Sequence, residues 1–317
     1  MSQRWGKPVT VLNLTPRGPF SLAAGRRFLD GFAPAGRTVE EGPLRLAFAP
    51  DGRGATTGAA LTQSADGVVH ADVVGAEPPG FADHLARVLS LDVDGTGFPA
   101  VADRDPVVGR LVASYPGLRP VGFYSPYEAA CWAVVTQRLR ITQAAGIVAG
   151  IRARWGETAE VAGRPVAAFP SAAVLHEVAG ELPLPDVKRE RLRGLAEAAL
   201  DGRLDGARLR AMSAEEAVAD VSLLAGIGPF SAELVVVRGA GHPDRFPTNE
   251  ARLHDSMRQL YDLPGADVEE LASVARAWAP YRTWVAVLLR VDREATTGEI
   301  ARGARVTLAA AARGGSR

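Results

Sequence analysis

Two helical stretches meet at Ala225-Gly226-Ile227-Gly228, and this short join restricts the fold more than any other part of the chain. Ser213 and Glu216 have the spacing of a capping box, which opens one helix running to about Leu224. Pro229 lacks an N–H and has a φ suited to a first helical turn, so a second helix starts there. Two glycines in so few residues permit a very tight turn. They also leave bare main-chain amides at a helix N-terminus, where the dipole favours an anion. Taken alone, the same glycines equally suit an ordinary connector between helices.

The surrounding pattern is helical from about Asp105 onward. Ser125-Pro126-Tyr127-Glu128 combines a cap, a first-turn proline and a glutamate placed to complete a capping box. Tyr127, Ala130, Cys131, Val134 and Val135 then follow the i, i+3, i+4, i+7, i+8 spacing of a buried stripe. Further helices are expected over 140–155, 171–179, 186–200, 213–224, 229–238, 250–261, 267–278 and 280–292, with a last one from 294 to about 311. The first ~110 residues read differently. Strands are expected over 8–15, 43–50, 59–64 and 68–74, the last two joined by an Ala65-Asp66-Gly67 turn, with helices over 20–32 and 81–91. The fold class is therefore α+β. Residues 1–110 form an antiparallel sheet with helices on one face, and residues 111–312 form an all-α domain. Two domains also fit 317 residues at roughly 150 per domain.

Composition removes several functional classes. Cys131 is the only cysteine, which excludes an internal disulfide framework and an all-cysteine iron–sulfur site. His70, His84, His176, His242 and His254 never fall at metal-ligand spacing, so neither a metal nor a cofactor is expected. No apolar run reaches the ~20 residues that span a bilayer, and the first ten residues lack a signal-peptide layout, so no membrane partner is expected and the cytoplasm is the expected compartment. The 36 basic residues balance 36 acidic ones, which argues against a strongly basic nucleic-acid coat protein. A local basic surface is still compatible with that balance, because steering depends on how charge is distributed.

Four segments, in order, carry a resemblance. Pro126-Tyr127-Glu128-Ala129 followed by Val135-Thr136-Gln137 is similar to the helix that opens the catalytic domain of the helix–hairpin–helix base-excision DNA glycosylase superfamily. Lys188 to Ala196 resembles the helix before its hairpin, and Leu224 to Ala232 resembles the hairpin itself. Trp278-Ala279-Pro280-Tyr281-Arg282-Thr283-Trp284 looks like the Trp-x-Pro-aromatic-Arg element of the 3-methyladenine DNA glycosylase II branch, which the N-terminal α+β segment also fits. The resemblance covers nearly the whole chain. It implies a helix–hairpin–helix glycosylase domain acting as a monomer on double-stranded DNA with an alkylated base, in base-excision repair at the nucleoid.

Such an enzyme extrudes its target base into a pocket, fills the gap with a wedge and holds the bent duplex by its backbone. Gly226, Ile227, Gly228, Phe230 and Ser231 are the hairpin residues expected to meet DNA. Gln137-Arg138-Leu139 falls where the family places its wedge, with Arg138 or Leu139 the candidate and a plain surface turn the alternative. Other arginines that could share the DNA-facing surface are Arg140, Arg189, Arg193 and Arg238. Alkylated purines carry positive charge, which aromatic faces attract, so Phe230, Tyr281, Trp284 and Trp132 are candidates for the pocket. Tyr281 and Trp284 also have core-helix spacing. Phe230 and Leu234 stand where the family branch carries tryptophan and tyrosine, which implies a less aromatic pocket.

The family's catalytic aspartate, at a helix start shortly after a proline, corresponds to Glu250 in Phe246-Pro247-Thr248-Asn249-Glu250. A carboxylate there would stabilise the developing oxocarbenium ion and orient or deprotonate the attacking water. Glutamate reaches about 1.5 Å further, and a shift of that order can lower a rate by about 10²-fold. Glu250 is thus either a displaced catalytic carboxylate or a favourable first-turn helix residue, with Asp255, roughly 140° around the helix, the next candidate. The lyase branch places a Schiff-base lysine where this chain has Phe230, and Lys7 and Lys188 are its only lysines. The resemblance therefore implies a monofunctional glycosylase releasing 3-methyladenine or 7-methylguanine. The alternative is a catalytically weak or inactive DNA-damage-binding relative. A small-molecule α+β enzyme is the third reading, for which the sequence offers no triad, metal cluster or nucleotide loop.

Overall fold

A computed structural model describes residues 9–31, 42–75 and 77–298. Near its N-terminus lies a four-stranded antiparallel sheet in the order β1-β4-β3-β2, built from β1 (Val9–Leu14), β2 (Leu44–Phe48), β3 (Thr57–Gln63) and β4 (Val69–Val74). The expected β3–β4 hairpin is present, closed by the Ser64 N–H donating to Val68 O at 3.0 Å, with Gly67 at φ 89° in its turn. β4 buries alternate residues, Val69, Ala71 and Val73, as a half-covered strand does. β2 is buried at every position.

A second hairpin explains that burial, and the helical reading of 105–312 missed it. β5 (Thr158–Val161) and β6 (Arg164–Ala167) lie against β2 and β3. The approach is close enough that β3 needs a glycine: a Cβ on Gly58 would stand 2.6 Å from both Val161 and Val74. α1 (Leu22–Gly31) and α2 (Phe81–Val88) pack on the sheet through Leu22, Leu29, Phe81 and Leu85. Phe48 stacks between Phe81 and Tyr124, with ring centroids 5.6 and 5.1 Å away.

α3 (Phe98–Arg104) and α4 (Pro106–Ser114) meet at Asp105. One Asp105 oxygen accepts from the Val107 and Val108 amides at 2.9 and 3.2 Å. The other accepts from Trp278 Nε1 at 2.9 Å and Tyr261 Oη–H at 2.7 Å. These helices share a core with the C-terminal ones, joining Phe98, Val101 and Val108 to Leu253, Met257, Trp278 and Trp284. One apolar core therefore crosses the expected division at residues 110 and 111.

The remaining helices are α5 (Pro126–Thr136), α6 (Ile141–Trp155), α7 (Ala172–Val178), α8 (Asp186–Leu200), α9 (Gly206–Ala211), α10 (Ala214–Ser222), α11 (Pro229–Leu234), α12 (Ala251–Leu260), α13 (Val268–Ala275) and α14 (Arg282–Thr297). α11 continues through one π-helical turn, Val235–Gly239. Ser213 and Glu216 form the expected capping box of α10. Ser125 caps α5 as expected, accepting from the Glu128 N–H at 3.1 Å. The Glu128 carboxylate, however, turns inward to Arg152 at 3.6 Å, so it forms an ion pair with α6 in place of the expected box. α14 runs unbroken through residue 293, where two helices were expected, because Val291 still packs on the core and no breaker interrupts the turn. Residues 299–311 of the expected last helix lie outside the described residues.

Candidate active site and nucleic-acid interface

The turn between α10 and α11 is tight for a visible reason. Gly226 has φ 86°, and a Cβ there would stand 2.5 Å from Arg191 Cδ on α8. Ile227 drops into the core, while a Cβ on Gly228 would meet no atom within 4 Å. Gly228 thus faces open space. The amides differ in their use. The Ile227 N–H donates to Leu224 O at 3.0 Å and so serves the turn itself, which corrects the expectation that it is bare for a phosphate. Phe230 and Leu223 flank the turn with 46% and 76% of their surfaces exposed, and Ser231 is half-buried in the first turn of α11.

The segment after α5 is tied to this turn. Gln137 Nε2 donates to Gly226 O at 2.6 Å, and its Oε1 accepts from Arg191 Nη1 at 2.7 Å. Lys188 Nζ donates to Val135 O and Gln137 O, both at 2.7 Å, closing the C-terminal end of α5. Burial first, then the Arg191 charge, lower the Lys188 pKa from its ordinary value. Both amide ends of Gln137 are engaged within the protein, so its part at this interface is to hold the two loops together. Arg138 is exposed, in the left-handed region at φ 58°, an uncommon conformation for a residue with a Cβ. Leu139 packs partly against the core of α5–α11. Of the two wedge candidates, Arg138 is thus the outward-facing one.

Glu250 is the residue just before α12. Its carboxylate is 24% exposed and lies 3.7 Å from Arg290 Nε on α14. Arg238, on the π turn, is half-buried; burial first and the Arg290 charge second bring its guanidinium down to about 10. It lies over the Phe28 ring at 4.9 Å and donates to Val121 O at 2.7 Å. The carboxylate therefore sits at a helix start beside the Arg290 guanidinium. Asp255 is exposed and paired with Arg258 at 3.1 Å.

The four aromatic candidates do not form one pocket. Tyr281 and Trp284 are buried in the second core, each against the Phe98 ring at 5.3 and 5.2 Å, and Tyr281 Oη–H donates to Asp94 O at 2.6 Å. Trp132 packs on the other helical core and lines a cleft with Phe123, Glu128, Val148, Arg152 and Phe169. Phe230 stands out at the hairpin. The physical reason is that helical spacing and Phe98 close the Tyr281–Trp284 face before any ligand reaches it.

Two residues important to this geometry carried no motif. Arg290 lies in the third turn of an amphipathic helix. Glu233 is a lone carboxylate within Ala232-Glu233-Leu234-Val235-Val236-Val237, and that isolation in an apolar run was the available signal.

No family model matches the chain. It is 26% identical over 209 residues to the DNA-3-methyladenine glycosylase of Bacillus subtilis, covering 63% of this chain and 69% of that protein. It is 28% identical over 181 residues to DNA-3-methyladenine glycosylase 2 of Escherichia coli, covering 56% and 61%. The fold superposes on a 3-methyladenine DNA-glycosylase from Archaeoglobus fulgidus with a TM-score of 0.72 at 21% identity, over 88% of this chain and 96% of that one. Fold, hairpin and sequence are similar to those of the helix–hairpin–helix base-excision DNA glycosylases. Within that class, the sequence relatives it matches are named 3-methyladenine DNA glycosylases, the branch its four motif segments resemble.

Proposed function

We propose that this protein is a monofunctional DNA glycosylase that hydrolyses the N-glycosidic bond of alkylated purines, of the 3-methyladenine and 7-methylguanine type, in double-stranded DNA. The observation that carries the reading is the carboxylate of Glu250, at the start of α12 and partly open to solvent, in a chain with the fold and sequence likeness of such enzymes. The protein acts as a monomer without a cofactor. Among the described residues no helix is long and apolar enough to cross a membrane.

The chemistry needs little from the protein beyond position and charge. A cationic alkylated base leaves with the electron pair of the bond between C1′ and its ring nitrogen, and leaves neutral. The oxocarbenium charge that develops on the sugar is stabilised by the Glu250 carboxylate, which also takes a proton from the water that adds to C1′. The product is a free base and an abasic site. Phe230 occupies the position of the lyase branch's amine, and the Lys188 ammonium is committed to two carbonyl oxygens, so water is the nucleophile. On the DNA side, Gly228, Phe230 and Ser231 face the backbone, and Arg138 enters the gap left by the base.

Incubation with methylated duplex DNA at enzyme excess should release free 3-methyladenine and 7-methylguanine. Glu250→Gln should lower that release by at least about 10²-fold while duplex binding persists. A fully active Glu250→Gln protein refutes the assignment of the carboxylate. One observation favours the alternative, a catalytically weak or inactive DNA-damage-binding relative: Glu250 is already paired with Arg290. That reading requires salt-dependent duplex binding with no base release.

A further inference from the structure

α11 reaches from the hairpin to the loop that carries Glu250, and Glu233 makes the connection. Its side chain is 3% exposed, yet both carboxylate oxygens are occupied. Oε1 accepts from the Thr248 N–H at 3.0 Å, the Thr248 hydroxyl at 2.8 Å and Arg245 Nη2 at 3.1 Å. Oε2 accepts from the Asn249 N–H at 3.0 Å. The two main-chain donors belong to the residues immediately before Glu250. From the other side, the loop is held by His254, whose Nε2 lies 3.0 Å from Pro247 O. Burial alone would raise the Glu233 pKa, but the bonds from Thr248, Arg245 and Asn249 outweigh it and the net shift is downward.

Arg245 extends the clamp outward, bonding Glu215 on α10 at 2.7 Å. Glu233 stands five residues after Gly228, roughly 7.5 Å along the helix axis. The helix that begins at the hairpin therefore also fixes the height of the Glu250 backbone. Glu250 itself makes no side-chain cap bond to α12, so its carboxylate direction depends on its backbone and on Arg290.

We propose that Glu233 is a positioning residue for base excision, holding the Thr248–Asn249 backbone so that Glu250 presents its carboxylate at a fixed distance from the hairpin. This rests on the glycosylase reading above. It also accounts for how a glutamate serves where the family has aspartate: the longer side chain needs its main chain held.

The test is Glu233→Gln. An amide keeps the shape and one acceptor. Its NH₂ group must then face one set of donors, most cheaply the lone Asn249 N–H. That variant should show about 10- to 10²-fold slower single-turnover base release, with affinity for an abasic-site duplex within about threefold of wild type. Hydrogen exchange at the Asn249 amide should quicken, while exchange in α8 stays as in wild type. Thr248→Ser, which keeps the hydroxyl, should retain wild-type release, and Thr248→Val should lose part of it. Unchanged release and unchanged Asn249 exchange in folded Glu233→Gln overturn the proposal, as does a loss of binding equal to the loss of rate. A wild-type protein that releases no base overturns the glycosylase reading, and this proposal with it. A wild-type protein that does release base, matched by Glu233→Gln, overturns this proposal alone.

Discussion

At the Gly228 end of α11 the turn is held by Gln137, Lys188 and Arg191, which donate to carbonyl and amide oxygens. At Glu233, little more than one helical turn on, the protein uses paired charges instead. Arg245 bridges Glu215 and Glu233, and Arg282 grips Asp244 through two nitrogens at 2.7 and 2.9 Å. The difference matches the role proposed for each end. Cations that bond to carbonyls are not neutralised, so the hairpin end keeps positive charge for a phosphate backbone. Ion pairs cancel charge and fix geometry in return, which suits the proposed holding of the loop before Glu250. Exposure follows the same division: Leu223 and Phe230 stand in solvent beside the hairpin, while Glu233 is buried.

Three further expectations bear on that contrast. Gln137→Ala should weaken binding to an abasic-site duplex by about tenfold, since it frees Gly226 O and Arg191 Nη1 together and unties the wedge turn from the hairpin. Equal affinity of wild type and variant, measured by anisotropy at one salt concentration, would break the claim that the two loops act as a unit. A smaller effect concerns the α5–α6 pair. Burial, only partly offset by Arg152, raises Glu128 from 4.5 to about 7. The folded protein holds this proton more tightly than the unfolded chain, so the contribution to stability is present below about pH 4.5 and is lost as pH rises through about 7. Melting temperature should fall by a few degrees across that window, and Glu128→Gln should flatten the fall. A wild-type profile identical to that of Glu128→Gln would refute it. The smallest effect belongs to Phe230→Ala. Stability should change by under about 0.5 kcal/mol, because the ring is exposed, while duplex affinity drops severalfold. A large drop in melting temperature would mean that the ring packs inside the fold.

Much of the architecture was legible because it is local. Caps at Ser125, Ser213 and Pro229, the 3.6-residue apolar stripes and the Ala65-Asp66-Gly67 turn all act within a few residues, and the corresponding elements are present. β5 and β6 escaped notice because four-residue strands with little alternation resemble a loop, and their partner strands lie a hundred residues away. Glu128 fitted a capping box by spacing, but its carboxylate meets a half-buried arginine on the next helix instead. The hairpin and the position of Glu250 were readable as motifs. The surroundings of the carboxylate were not: Arg290 and Glu233 come from other helices, and nothing in local spacing announces either.

The order of residues determined the elements, the tight glycine turn, the absence of an amine where a lyase needs one, and the likeness to DNA-3-methyladenine glycosylases. Tertiary packing alone decided which side chains face one another. It closed Tyr281 and Trp284 against Phe98, turned Gln137 into a tie between loops, and set Glu233 beneath the backbone that carries Glu250. The reason is one of range. Propensity and capping act over one or two helical turns, whereas a buried carboxylate takes its hydrogen-bond donors from whatever segment the fold brings to it.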